Sequence, residues 1–319
     1  MKLCDELEAR QAAQEETHTK LGTAALAALS EAEDAAAFEE ARALIADNFE
    51  LIFDSTENVA ALQQSVLQLA VQGRLVPQNP ADEPASVLLE RIAAEKQRLV
   101  KEGKIRKSKP QSSIIGNELP YKLPDGWIWV CFPDIGEFGR GKSKHRPRND
   151  PSLFIDGKYP FIQTGDVARA NGKIKTYFNL YNEKGLNQSR IWPEGTLCIT
   201  IAANIADTAI LGFDACFPDS VVGFIPTNEI GNSKYFEYFL RTIKSNLNNY
   251  APSTAQKNIN LSLLEKILVT LPPRNMILKI VVKVDALMKL CDELDARITR
   301  RQEIQTKLIA SIVAGASGC

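Results

Sequence analysis

One helix-forming segment is written twice in this chain. Met1–Arg10 reads MKLCDELEAR and Met288–Arg297 reads MKLCDELDAR, an offset of 287 residues. The register persists further, since Thr19-Lys20-Leu21 falls on Thr306-Lys307-Leu308. So long a period excludes a solenoid, whose units recur every 20–50 residues or so. Near-identity over a whole decapeptide is not what two unrelated surface helices would share. It predicts a pseudo-symmetric arrangement in which like helices occupy equivalent places. Leu287, Leu290, Leu294, Ile298, Ile304, Leu308 and Ile312 recur mostly three and four apart with charges between them, a stripe that needs a partner helix.

Between the copies the sequence changes character twice. Residues 31–72 are rich in Ala, Leu and Glu, with Ser55-Thr56-Glu57-Asn58 as a cap before an apolar-periodic run and Gly73 to close it. Pro77, Pro80 and Pro84 mark a break, Ser86-Val87-Leu88-Leu89-Glu90 starts another helix, and a basic stretch from Lys101 to Lys109 leads to Pro110. From about Leu119, short apolar runs separated by Gly, Pro and Asn read as strands: Trp127–Cys131, Tyr159–Ile162, Leu197–Ile201 and Ser220–Phe224. A helix near residues 235–248 and Leu271-Pro272-Pro273 precede the second copy.

Bulk charge is uninformative, because 38 Lys+Arg balance 39 Asp+Glu, so any polyanion-binding face must come from uneven distribution. The six cysteines lie far apart with no CxxC pair, and His18 and His145 are the two histidines, which disfavours a zinc site or a disulfide framework. Acidic residues stand where a signal peptide needs an apolar core, and no run of about 18 apolar residues occurs, so the expectation is a soluble, reducing, cytoplasmic protein.

Gly136-Glu137-Phe138-Gly139-Arg140-Gly141-Lys142-Ser143 matches the phosphate-loop pattern G-x-x-x-x-G-K-[ST]. A phosphate loop opens a helix whose first amides hold the anion, yet Pro147 and Pro151 follow at once and exclude that helix. Ile210–Asp214 is the nearest run that could end in a magnesium-binding Asp, and it is short and interrupted by Gly212. An adenine methyltransferase is disfavoured as well: Phe138-Gly139-Arg140-Gly141 resembles a cofactor loop, but Leu271-Pro272-Pro273-Arg274 lacks the amide donor and ring that hold a flipped adenine. No G-x-S-x-G supports a hydrolase. No catalytic residue, metal or cofactor is expected.

The same segment has a simpler use. Arg140, Lys142, Lys144, Arg146 and Arg148 set five cations in nine residues beside His145, with no acid among them. Such spacing suits phosphate contacts, the alternative being a solvated loop held off the surface by its own charge. Gln163-Thr164-Gly165-Asp166 and Ala202–Thr208 each end a strand with amides, hydroxyls and carboxylates, and Ser253–Asn260 is a third polar loop. Gln and Asn can pair bidentately with adenine and Asp can accept from cytosine, although each stretch alone is ordinary turn chemistry.

Together these residues resemble the DNA specificity subunit of type I restriction-modification systems. The likeness is carried by Val66–Val76, Leu123-Pro124-Asp125-Gly126-Trp127, Gly141–Arg148, Tyr159–Val167, Ser253–Ile259 and the repeated MKLCDEL helix. The resemblance implies an α+β chain: a helical spacer and docking region over 1–113, one mixed α/β target-recognition domain over 114–273, and a C-terminal helix over 274–319. Long coiled-coil-type helices flank the recognition domain and act as a ruler between half-sites. It further implies a non-catalytic adaptor whose partners are double-stranded DNA, modification (methyltransferase) subunits and a restriction (translocase/endonuclease) subunit, serving DNA methylation and defence against foreign DNA. The DNA-binding set is then Arg140, Lys142, Lys144, His145, Arg146 and Arg148 toward phosphate, with Gln163, Thr164, Asp166, Asn204, Asp207, Gln256 and Lys257 near bases. Family members usually carry two recognition domains and this sequence shows one. It therefore reads either as a fragment or as a half subunit that pairs with a second copy through the repeated helices and reads an interrupted palindrome. Two other readings stand beside it, a nucleotide-binding enzyme using Gly136–Ser143 and a structural coiled-coil oligomerisation protein.

Overall fold

The computed structural model describes residues 2–32, 34–103, 119–145, 147–202, 206–249 and 261–316. In chain order these form α1 (Lys2–Glu31), α2 (Ala35–Asp47), α3 (Phe49–Ile52), α4 (Thr56–Val71), α5 (Ala85–Lys101), β1 (Ile128–Cys131), α6 (Phe132–Ile135), β2 (Gly136–Arg140), β3 (Tyr159–Phe161) and α7 (Thr164–Arg169). There follow β4 (Gly172–Ile174), β5 (Asn179–Tyr181), α8 (Glu183–Asn187), β6 (Ile191–Trp192), β7 (Leu197–Thr200), β8 (Thr208–Leu211), β9 (Ala215–Cys216), β10 (Val221–Pro226), α9 (Lys234–Asn249), α10 (Leu261–Leu264), β11 (Leu268–Leu271) and α11 (Arg274–Ala316). Two compact units result, Met1–Ala70 with Val282–Cys319, and Val71–Val281.

The first unit is helical. In α1 the buried residues Gly22, Ala25, Leu26 and Leu29 follow the helical period. Asn58, 1% exposed, donates to the carbonyls of Ile52 (2.6 Å) and His18 (3.3 Å), and the His18 ring meets Asp54 at 2.7 Å. The second copy of the repeat finds the partner helix its stripe calls for: Cys291, Leu294 and Ile298 pack against Val59 and Leu62 of α4. Only part of the stripe is used, since Leu290, Ile304 and Leu308 are exposed. The positions shared by the two copies agree, with Asp5, Glu6, Ala9 and Arg10 exposed like Asp292, Glu293, Ala296 and Arg297.

The second unit holds the sheets. A five-stranded sheet runs β2-β10-β7-β8-β4, antiparallel except for the parallel β4–β8 pair at its edge. A four-stranded sheet runs β5-β3-β9-β6, and β1 pairs with β11. Ile162, Val167, Ile174, Trp192, Cys198, Leu211, Phe217 and Val221 form one apolar core, with Trp192 stacked on Phe217 at 4.9 Å. Burial pushes the thiols of Cys131 (up to about 11), Cys198, Cys216 and Cys291 upward, so each stays protonated at neutral pH and serves as packing. Among the described residues no helix is long and apolar enough to cross a membrane, and no cluster of His, Cys, Asp or Glu is placed to hold a metal ion.

Candidate nucleic-acid interface

The phosphate-loop motif is a strand. Gly136–Arg140 pairs antiparallel with β10, Phe138 opposite Phe224, and among the described residues no helix opens at Ser143. Its glycines answer to packing instead. A Cβ on Gly136 would lie 2.2 Å from the Ile225 carbonyl oxygen, and one on Gly141 would lie 2.4 Å from the carbonyl oxygens of Phe217 and Pro218. The nucleotide-enzyme reading fails, because the amides that would have to cradle phosphate are in a ladder.

From Arg140 the chain runs on in strand-like alternation, with Arg140, Lys142 and Lys144 exposed and Gly141 and Ser143 buried between them. A period of two turns successive cations to one side, about 6.6 Å apart along extended chain. The segment is fastened rather than loose. The Gly141 amide donates to the Val221 carbonyl (2.8 Å), the Lys142 amide to Phe217 (2.9 Å), and the Ser189 hydroxyl to the Lys142 carbonyl (2.7 Å). The Gln188 carboxamide oxygen accepts from the amides of both Lys144 (2.5 Å) and His145 (2.9 Å). The His145 ring meets Asp150 at 2.6 Å. Hydrogen bonds from Ser152, then from His145, hold the Asp150 carboxyl down at about 2. Arg148 is paired with Asp219. The side chains of Arg140, Lys142 and Lys144 make no ion pair among the described residues.

Strand register gathers further polar groups at the same end of the sheet. Arg140 lies opposite Val222, Val221 opposite Thr200, and Ile199 opposite Thr208, so the end of β2 and the β7–β8 turn sit at one edge of the five strands. Thr200 closes that turn, its amide donating to the Asp207 carbonyl (3.0 Å) and its hydroxyl accepting from the Asp207 amide (3.1 Å). Ala206 takes a left-handed φ of 63° there, an unusual conformation for a residue with a Cβ. The Asp207 carboxylate is met by the Lys244 ammonium at 2.5 Å.

Gln163 and Thr164, expected at a turn, instead open α7. Gln163 is its N-cap, and Asp166 returns a carboxylate oxygen to the Gln163 amide at 2.8 Å, a reciprocal capping box. The other Asp166 oxygen meets Arg169 at 2.8 Å, and the side chain is 8% exposed, so both oxygens are engaged within the protein. Arg146, Asn204, Gln256 and Lys257 lie outside the described residues, as do the basic residues after Gly103 and the Ser253–Asn260 loop. The groups that seat the basic segment, Gln188, Asp150 and Asp219, escape a reading of the sequence. Of the three, only Asp150 has a local signal, its Asx turn onto Ser152.

The β-rich unit thus offers, at one end of its five-stranded sheet, a fastened row of exposed cations, Arg140, Lys142 and Lys144, without ion partners among the described residues. Residues 124–305 match the model of the type I restriction modification DNA specificity domain, and the chain belongs to that family. It is 29% identical over 335 residues to the type I restriction enzyme EcoEI specificity subunit of Escherichia coli, covering 99% of this chain and 55% of that one. Against the EcoAI specificity subunit of the same organism it is 30% identical over 332 residues, covering 99% and 54%. The chain thus spans about half the length of these curated relatives. A solved chain of a type I R-M system is similar with a TM-score of 0.51 at 15% identity, covering 81% of this chain and 58% of that one, a likeness of fold.

Proposed function

We propose that this chain is a sequence-specific DNA-binding specificity subunit of a type I restriction-modification system. Residues 114–273 read one half-site of a duplex, and the long helices of 1–113 and 274–319 space that domain and dock modification and restriction subunits. The subunit works in the cytoplasm, does no chemistry itself and needs no cofactor. The single observation that carries the DNA reading is the segment 140–145, fastened through its backbone amides and presenting Arg140, Lys142 and Lys144 without ion partners among the described residues. Those cations supply affinity through phosphate, and the polar groups around Gln163, Thr164 and the β7–β8 turn supply sequence preference. Half the length of its relatives and one recognition domain fit either a piece of a longer subunit or a half subunit that pairs with a second copy.

Selection from a randomised duplex library at fixed moderate salt, with and without the modification subunit, tests the reading. Enrichment of an interrupted palindrome is expected of a paired half subunit, and a single short half-site of one domain acting alone. No enrichment in either condition overturns the DNA-reading function.

A further inference from the structure

The opposite edge of the five-stranded sheet repeats the pattern of the basic segment, and the interface around residues 140–148 makes no use of it. There Lys173 of β4 and Lys175, the first residue after it, are exposed on either side of buried Ile174, as Arg140, Lys142 and Lys144 flank Gly141 and Ser143. Arg169, from the end of α7, lines the same hollow of about 350 Å³ together with Asp166, Thr176 and Phe178. The charges are unequally committed. Arg169 meets Asp166 at 2.8 Å, Lys173 reaches Glu194 only at 3.9 Å, and Lys175 has no ion partner among the described residues.

Lysines on an open edge strand are a common device against strand addition, and alone they would need no ligand. The ring of Phe178 contradicts that purpose. It is 76% exposed, next to Tyr177 at 45%, and adds apolar surface where an edge should be made unattractive. Tyr177 is steadied by an edge contact to Phe213 at 5.2 Å, and the Arg169 guanidinium stands 5.8 Å from the Phe178 ring centre. A phenyl ring held out beside cations suits a partner that is anionic along its outside and flat and apolar within, which is the description of a duplex.

Resting on the DNA-binding function proposed for the chain, we propose that this edge is a second DNA contact. Lys175 and Lys173 take phosphate, and Phe178 meets the bases, by packing on a thymine methyl or entering between stacked pairs.

The test uses the full chain with its modification subunit, the enriched duplex and an unrelated duplex of equal length. Both residues are exposed, so Lys175→Ala and Phe178→Ala should melt as the parent does. Lys175→Ala is expected to weaken both duplexes alike and to lower the slope of log K against log salt by about one. Phe178→Ala is expected to lose about tenfold on the enriched duplex and under about twofold on the unrelated one. Phe178→Trp should show emission quenched on adding the enriched duplex. Parent-like binding by both alanine variants, while Lys144→Ala weakens it, overturns this contact and leaves the first interface standing. So does loss of the modification subunit rather than of DNA in Phe178→Ala, or Phe178→Trp emission that ignores bound duplex. A parent that binds neither duplex sinks the DNA-binding reading and this inference with it.

Discussion

Gln188 carries no charge, and it meets the backbone of the basic segment, yet it should govern how well that segment binds DNA. Its carboxamide oxygen accepts from two consecutive amides, Lys144 at 2.5 Å and His145 at 2.9 Å, and so fixes the backbone from which Lys144 projects. Gln188→Ala removes both bonds and leaves every cation in place. A net protein hydrogen bond is worth about 0.5–1.5 kcal/mol, and two give about 1–3 kcal/mol of ordering. The Lys144 amide is at the surface, where water restores part of its bond, which brings the expected loss toward about 1–2 kcal/mol. A segment that must be reordered at binding carries that cost into affinity, a Kd about five- to thirtyfold weaker. Fluorescence anisotropy with an enriched duplex across a salt series reads both quantities that matter. Kd should rise while the salt slope stays that of the parent, because the number of phosphates neutralised is unchanged. Lys144→Ala is the contrast, weakening all sequences and lowering the slope by about one. The reasoning is refuted if Gln188→Ala binds as the parent does, or if its slope falls as that of Lys144→Ala does.

Two glycines of the phosphate-loop-like run separate packing from backbone freedom. Gly141→Ala drives a Cβ against two backbone oxygens at 2.4 Å and should lower stability by about 1–3 kcal/mol in urea unfolding, whereas Gly139→Ala, with nothing within 4 Å, should stay within about 0.5 kcal/mol. Along α11, Ile298→Ala empties a site buried against α4 and should cost about 2–5 kcal/mol, while Leu290→Ala, 59% exposed, should change little; equal effects would contradict the seam. Asp150 has a carboxyl held at about 2, below the usual value of about 3.9, so its contribution is present above pH 4 or so and lost as pH falls toward 2. The melting-temperature gap between parent and Asp150→Asn should therefore be constant at neutral pH and close on acidification through that window; a gap that closes near neutrality would remove the assigned cause.

Elements with a strong local period are legible in the sequence itself. The runs at 128–131, 159–161, 197–200 and 221–226 are strands, and the helix expected near 235–248 spans Lys234–Asn249. The cap before Val59 opens a helix at Thr56. The short strands β4, β5, β6 and β9 are not legible, because two or three residues carry no period and exist through partners far along the chain. Gln163 is a different case, since a local signal is present there: Gln163 with Asp166 three residues on is a capping pattern, and it announces a helix rather than a turn.

The basic segment shows where local information stops. The sequence alone determined that five cations crowd into residues 140–148, that prolines forbid a phosphate-loop helix after them, and that the terminal copies are helices with one sticky side. Charge spacing, proline geometry and helical period are all properties of neighbours in the chain. Only the tertiary structure decided that Arg148 is answered by Asp219, that the Lys144 and His145 amides share the oxygen of Gln188, and that Arg140, Lys142 and Lys144 lack ion partners among the described residues. Those outcomes depend on groups 40 to 70 or so residues away, brought close by strand register. Register is set by burying the apolar face of the whole sheet, a quantity that no stretch of neighbours contains.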